Sequence, residues 1–277
     1  MSPPAEDPAD APHAYRRRAL LRAATVCAAG LAASGCDAVS TRALRRTARS
    51  RAPVDASASA RPSPSATAAL PRSIAATLPP EVRNGPRNRP GIALTFHGQG
   101  TPAMVRDLLI ALEDHAARGT FLAVGSWLAT EPAFAGRIRN GGHELGNHTM
   151  HHLAIASMNR AGASAEIDEC ADVLRRLTGS IGTWFRPSQT QFATPTILAA
   201  ATRAGYPTSL SYDVDSLDYT DPGVDAIVAT VLRLARNGSI VSMHAGHAQT
   251  VAAVPTVLAG LRRRGLRPMT MTELMSQ

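Results

Sequence analysis

The sequence predicts an α/β domain, a small or distorted β/α barrel, over residues 91–277, preceded by segments of a different kind. Short apolar runs alternate with longer amphipathic stretches from Gly91 onward. Gly119, Gly205, Gly238 and Gly265 fall where helix-to-strand turns need a residue free of left-handed strain. Polar residues gather where the apolar runs end. Six or seven such units in roughly 190 residues are short of an eight-fold barrel. A doubly wound open sheet is the competing architecture, because periodicity alone does not tell barrel from sheet.

Strands are expected over 92–96, 120–124, 144–146, 183–186, 208–212, 240–244 and 267–270, and helices over 102–118, 132–140, 164–177, 194–204, 223–236 and 250–264. In either architecture ligands bind outside the C-terminal strand ends. There the first strand breaks into His97-Gly98-Gln99-Gly100, the third runs into GNHTMHH, the fourth into FRPSQ, the fifth into YDVDSLDY and the sixth into MHAGH.

Residues 15–36, YRRRALLRAATVCAAGLAASGC, place arginines before an apolar run and small residues before Cys36. The run is shorter than the roughly 20 residues of a membrane span, which predicts a cleavable export leader over 1–36. Arg17-Arg18 resembles the twin-arginine signal, implying export of a folded protein. Ala33-Ser34-Gly35-Cys36 resembles a bacterial lipoprotein cleavage box. Cys36 is therefore expected to carry an acyl chain that holds the protein at the outer face of the cell membrane, with free secretion as the alternative. Residues 37–90, rich in Ala, Ser, Pro and Arg, have too little apolar surface to offset their ordering entropy and are expected to form a disordered tether. Only Cys170 remains for the domain, which excludes a disulfide framework and suits a small core residue.

The formal net charge of +8 is unevenly placed: residues 37–91 hold ten Arg and three acids, whereas 92–277 hold fifteen of each. A neutral domain gives no reason to expect nucleic acid as a partner, or any basic face. All basic residues are Arg, and the absence of Lys excludes Schiff-base, pyridoxal phosphate and P-loop lysine chemistry.

His148 and His152 stand four apart, which puts two imidazoles on one face if that turn is helical and suits a divalent metal. With them in view, the chain from about Gly91 to Gln277 resembles the NodB-type polysaccharide deacetylases, carbohydrate esterase family four. GGHELGNHTMHH resembles the family's metal-binding motif and implies His148 and His152 as ligands. WFRPSQ resembles its Arg-Pro motif, implying Arg186 as an orienting cation and the N–H near Gln189 as an oxyanion donor. DVDSLDY implies that Asp218, or Asp215, orients an acid histidine, and SIVSMHAG implies His244 as that acid. The resemblance also implies a distorted (β/α)7 barrel, with Ser188, Gln189, Asp215 and Tyr219 on the substrate side.

The opening motif departs from the family. Where the family has Asp-Asp-Gly, this chain has His97-Gly98-Gln99, so His97 stands at the base position and Gly98 at the ligand aspartate. His97 is expected either to join His148 and His152 as a third ligand, or to be the neutral imidazole base that activates the attacking water. Arg186 loses its carboxylate, and Asp215 or Asp218 is expected to pair with it. The implied reaction is hydrolysis of acetyl groups on a cell-surface glycan, with a divalent metal, zinc first, as cofactor and the protein a monomer. A carbohydrate-binding relative without turnover is the alternative. His247 is expected on an exposed loop, His143, Glu144 and Asn147 to shape the turn, and His115 to be inert.

Overall fold

The computed structural model describes residues 78–277, so the expected leader, Cys36 and most of the tether lie outside the described residues. Strand β2 (Gly91–Gly98) is the hub, and its side chains are buried almost throughout, as a parallel strand covered on both faces requires. It pairs with β3 (Thr120–Ala123) and β7 (Ile240–His244), and at its start with β8 (Arg267–Met269). β4 (Glu144–Asn147) extends the sheet beyond β3, and β6 (Val214–Asp215) extends it beyond β7.

All these pairs are parallel. Phe185 then bridges Asn147 to Ser209, carrying the path to β5 (Ser209–Leu210), which pairs with β1 (Glu81–Val82). No ladder joins β5 to β6 among the described residues. Asp213, between β5 and β6 in the chain, is tied to the start of β7: its carboxylate accepts from the Ile240 N–H at 2.7 Å, from Ser239 Oγ at 3.1 Å and from Arg87 at 2.7 Å. The result is a distorted, incompletely laddered barrel.

Helices α1 (Pro102–Asp114), α4 (Arg160–Thr178), α5 (Pro195–Ala204), α6 (Val224–Leu234) and α7 (Ala248–Arg263) wrap the outside, with the short α2 (Gly125–Thr130) and α3 (Ala133–Asn140) between β3 and β4, and α8 (Met271–Met275) at the end. Thr101, Asn159 and Thr194 cap the N-termini of α1, α4 and α5, and Thr270 and Glu273 form a capping box on α8.

Strand parity divides the core. Ile92, Leu94, Phe96, Phe121, Val241 and Met243 pack outward with the helices, whereas Val82, Ala93, Leu122, Trp184, Leu210 and Ile240 meet inside with Met271 and Leu274 of α8. Thr95 and His97 share the inward parity of Ala93, and Ser242 and His244 that of Ile240. Cys170 is buried in α4, and burial pushes its thiol up to about 12. His115 caps the end of α1, its Nδ1 against the Ala111 carbonyl at 2.9 Å.

Three expectations change. The domain begins before Gly91, because Val82 joins the inner core and Arg87 ties to Asp213. The strand expected over 183–186 shrinks to the single bridge at Phe185. Val214–Asp215, hidden in a polar run, pairs with β7.

Gly146 is required by close approach. A Cβ there would meet the Trp184 carbonyl at 2.5 Å and Leu122 Cδ2 at 2.8 Å. Gly146→Ala is expected to cost about 1–3 kcal/mol by overpacking, read as a lower urea midpoint; an unchanged midpoint would show that β4 can shift freely.

His143, just ahead of β4, accepts from the Gly119 N–H at 3.2 Å, and burial pushes it down to about 4. The unfolded chain therefore binds a proton that the folded chain refuses between about pH 6.5 and 4. That contribution to stability is complete above pH 6.5 and lost as pH falls. Between pH 7 and 5 it amounts to roughly 2 kcal/mol. The loss of stability over that interval should be smaller by this amount in His143→Gln, and equal losses in both proteins would exclude it.

Candidate active site

In the parallel register His97 lies opposite His244 on β7 and Leu122 on β3, and Leu122 lies opposite Gly146 on β4. One inward row thus runs His244, His97, Leu122, Gly146, and His148 follows Gly146 by two residues with the same parity. The His97 and His244 rings lie 4.1 Å apart between centroids, and those of His97 and His148 4.3 Å. Sheet geometry alone brings three remote imidazoles to one end of the barrel.

His152 arrives by a turn that is not helical. Thr149 (φ 66°) and His152 (φ 56°) adopt left-handed backbone, and the His148 and His152 rings meet at 4.9 Å. Four side chains hold this loop. Asn147 Oδ1 accepts from the Thr149 N–H at 2.9 Å, and its Nδ2 donates to the Ile167 carbonyl and Tyr206 Oη. Glu166 accepts from the His151 N–H at 2.8 Å and pairs with its ring. Ser188 accepts from Thr149 Oγ1 at 3.0 Å and donates to the Leu153 carbonyl. Gln189 Nε2 donates to the His152 carbonyl at 2.7 Å. Ser188 is wholly buried, so it braces the loop and does not face substrate. Asn147 shapes this turn as expected, whereas Glu166 is a positioning residue that sequence reasoning missed.

Arg186 follows the Phe185 bridge and is 1% exposed. It donates through Nε to the Leu210 carbonyl and through Nη2 to the Ser211 carbonyl, both at 3.1 Å, and through Nη1 to His97 Nε2 at 3.2 Å. The expected pairing with Asp215 or Asp218 does not form. Burial pushes Arg186 down to about 9, still cationic at neutral pH. Because a guanidinium only donates, Nε2 of His97 accepts and Nδ1 holds the proton. Ser242 Oγ reaches the same Nε2 at 3.3 Å. Burial, then His148, His244 and Arg186, hold His97 well below the usual histidine range. Burial does the same to His148 and, less strongly, to His152.

Asp218 is buried and turns wholly to His244. Its Oδ1 accepts a hydrogen bond from His244 Nδ1 at 2.7 Å, and its Oδ2 accepts from the His244 N–H at 2.7 Å and Thr250 Oγ1 at 2.6 Å. Burial pushes the carboxyl up, but these bonds together outweigh it and hold the group below the usual carboxylate range. His247 pairs with Asp221 at 3.0 Å. Gly98 offers no room for the absent aspartate without adjustment, since a Cβ would sit 3.1 Å from Ala123 Cα.

Two cavities flank the row. One of about 560 Å³ holds His97, His244, Gln99, Trp127 and His247; the other, of about 380 Å³, holds His97, His152, Gln189, Asp215, Tyr219 and His244. Gln189 sits in left-handed backbone (φ 53°) at the second.

The histidines fit a divalent cation. His97, His148 and His152 each offer one nitrogen within 4.8 Å of the others. His148 Nδ1 faces the Arg186 carbonyl at 2.9 Å, which places its proton there and leaves the buried Nε2 with a lone pair and no partner.

This is the layout of a strand-end hydrolytic centre on a distorted barrel. The polysaccharide deacetylase family model matches residues 84–209. A peptidoglycan-N-acetylglucosamine deacetylase of Bacillus cereus is 31% identical over 194 residues, covering 69% of this chain and 90% of that one. The chain belongs to the polysaccharide deacetylase family. The Bc1960 peptidoglycan N-acetylglucosamine deacetylase superposes with a TM-score of 0.66 at 25% identity, over 71% of this chain and 93% of that one. A family-four pseudoenzyme from Bacillus anthracis superposes at 0.67 with 24% identity, over 72% and 70%, and shares the fold.

Equilibrium dialysis against zinc should retain about one ion per chain in the native protein and none in His148→Ala. Equal retention by both would remove the His148 nitrogen from the set.

Proposed function

We propose that the domain hydrolyses acetyl groups on the N-acetyl sugars of a cell-surface polysaccharide, using three histidines where the family uses two histidines and an aspartate. The carrying observation is the convergence of the His97, His148 and His152 nitrogens within 4.8 Å, beside the Asp218–His244 pair. A divalent cation held there, zinc by its preference for nitrogen donors, supplies positive charge that polarises an acetyl carbonyl and acidifies water.

The chain's own residues handle the protons. His244 donates its Nδ1–H to Asp218 in a hydrogen bond and keeps the proton, so Nε2 is the nitrogen left for chemistry. It takes a proton from the attacking water and passes it to the departing nitrogen as the carbon–nitrogen bond breaks. Asp218 fixes the tautomer and stabilises the imidazolium without accepting the proton outright. The Gln189 N–H is the oxyanion donor, and Tyr219 and Asp215 line the sugar path.

For His97, either role needs the Nε2 lone pair that Arg186 and Ser242 engage; ligation is favoured over the base role because His97 offers a nitrogen within 4.8 Å of those of His148 and His152. A cation and Arg186 compete for that lone pair. The leader over 1–36 and the tether that follows extend this reading to an exported protein anchored through Cys36.

The rival reading, a glycan-binding relative without turnover, is favoured by the absence of both opening carboxylates. Acetate release from N-acetylglucosamine oligomers decides between them. Asp218→Asn should lower kcat by roughly 100-fold or more with KM little changed. His97→Ala should lose both zinc and turnover. Zinc retained with lost rate would return His97 to the base role, and stoichiometric zinc without acetate release from the native protein would establish the binder.

A further inference from the structure

At the end of the barrel opposite the histidines, the helix-to-strand turns gather six arginines around two adjoining cavities. One, about 450 Å³, is lined by Arg118, Arg262 and Arg267 with Glu273. The other, about 640 Å³, is lined by Arg87, Arg236 and Arg264. Leu266 lines both, so the two concavities are neighbours that share a wall residue and together form a basic trough. The neutral composition of the domain gave no warning of this basic face.

Two of the six are neutralised, Arg118 by Glu273 and Arg87 by Asp213, each at 2.7 Å. Arg262 and Arg264 donate to main-chain carbonyls, of His115 and of Leu232 and Ala235, which fixes their guanidiniums without cancelling the charge. Arg236 and Arg267 are exposed, and their guanidiniums bond nothing among the described residues. Helix capping therefore explains two of the arginines, ion pairs explain two more, and Arg236 and Arg267 are left without a structural role. The chain also joins the domain at this end, since the Pro80 carbonyl accepts from the Ser209 N–H at the start of β5. Residues 37–77, which precede it, hold seven Arg and two acids.

We propose that this trough binds a linear polyanion carrying repeated phosphate groups, leaving the catalytic end of the barrel free. Guanidinium forks match phosphate oxygens in pairs. A flexible phosphate chain can follow two neighbouring concavities, whereas a flat bilayer surface would meet only their rims. The site is independent of the deacetylase reading, because no residue is shared.

The test is binding of inorganic polyphosphate to the full chain and to the double variant Arg236→Glu/Arg267→Glu, at several salt concentrations. The native chain should bind with an affinity that falls steeply with salt. The double variant should bind at least tenfold more weakly, with a log–log salt slope shallower by roughly two. Arg236→Gln/Arg267→Gln should fall between them, and all three should keep the same thermal midpoint and acetate release. Equal binding by native and variant chains would overturn the proposal by moving the contact to the arginines of residues 37–77. So would tighter binding to anionic phospholipid vesicles or to duplex DNA than to polyphosphate.

Discussion

Ala93, Thr95 and His97 of β2 share a face with Ile240, Ser242 and His244 of β7, and the register that sets Ala93 opposite Ile240 also sets His97 opposite His244. Everything at the active end follows from that alignment. A one-residue slip would turn His97 outward among Leu94 and Phe96 and replace it inside with an apolar side chain. The bare backbone of Gly146 extends the same constraint across the sheet. Because Trp184 lies against it, β4 can approach closely enough for His148 to rise into the row beside His97.

The electrostatics of that row are unusual in sign. Four imidazoles and Arg186 converge with one buried carboxylate, and Asp218 is committed to His244 and Thr250. Burial and mutual repulsion keep His97, His148 and His152 neutral, which is the form that ligates a cation. Arg186 tolerates its own burial because main-chain carbonyls, not a carboxylate, take two of its donors. With no carboxylate at residue 97, Arg186 meets the neutral His97 imidazole, and Asp218 is left to His244.

Much of this was legible in the sequence, for identifiable reasons. The apolar run at Ile240–His244 and the strand ending at His97 read directly, since buried parallel strands are continuous apolar runs bounded by polar turns. The strand read over 183–186 is reduced to the bridge at Phe185, because an apolar run does not fix how many of its residues pair. Gly125–Thr130 and Met271–Met275 are too short to show a helical stripe. Residues 78–90 read as tether because composition cannot see that Val82 will meet Leu210, which lies far along the chain. The spacing of His148 and His152 pointed to two rings that do meet, but by another route: left-handed residues at Thr149 and His152, not a helical turn, bring them together. Asn147 was read as a turn-shaping residue, but Glu166 escaped because its work depends on contacts with His151 that only the folded chain makes.

The charge of the domain shows why a neutral count can mislead. Asp218, Asp221, Glu144 and Glu166 are drawn into bonds with His244, His247, Thr272 and His151 respectively. Those acids sit at the strand ends and loops that build the site, or inside the barrel, and are not available to the turns at the opposite end. The arginines follow a different rule. They fall at helix C-termini and helix-to-strand turns, where the main-chain carbonyls favour cations. Of the acids, Glu273 and Asp213 do reach that end and neutralise Arg118 and Arg87, but they are outnumbered there, and a domain with no net charge acquires one cationic end.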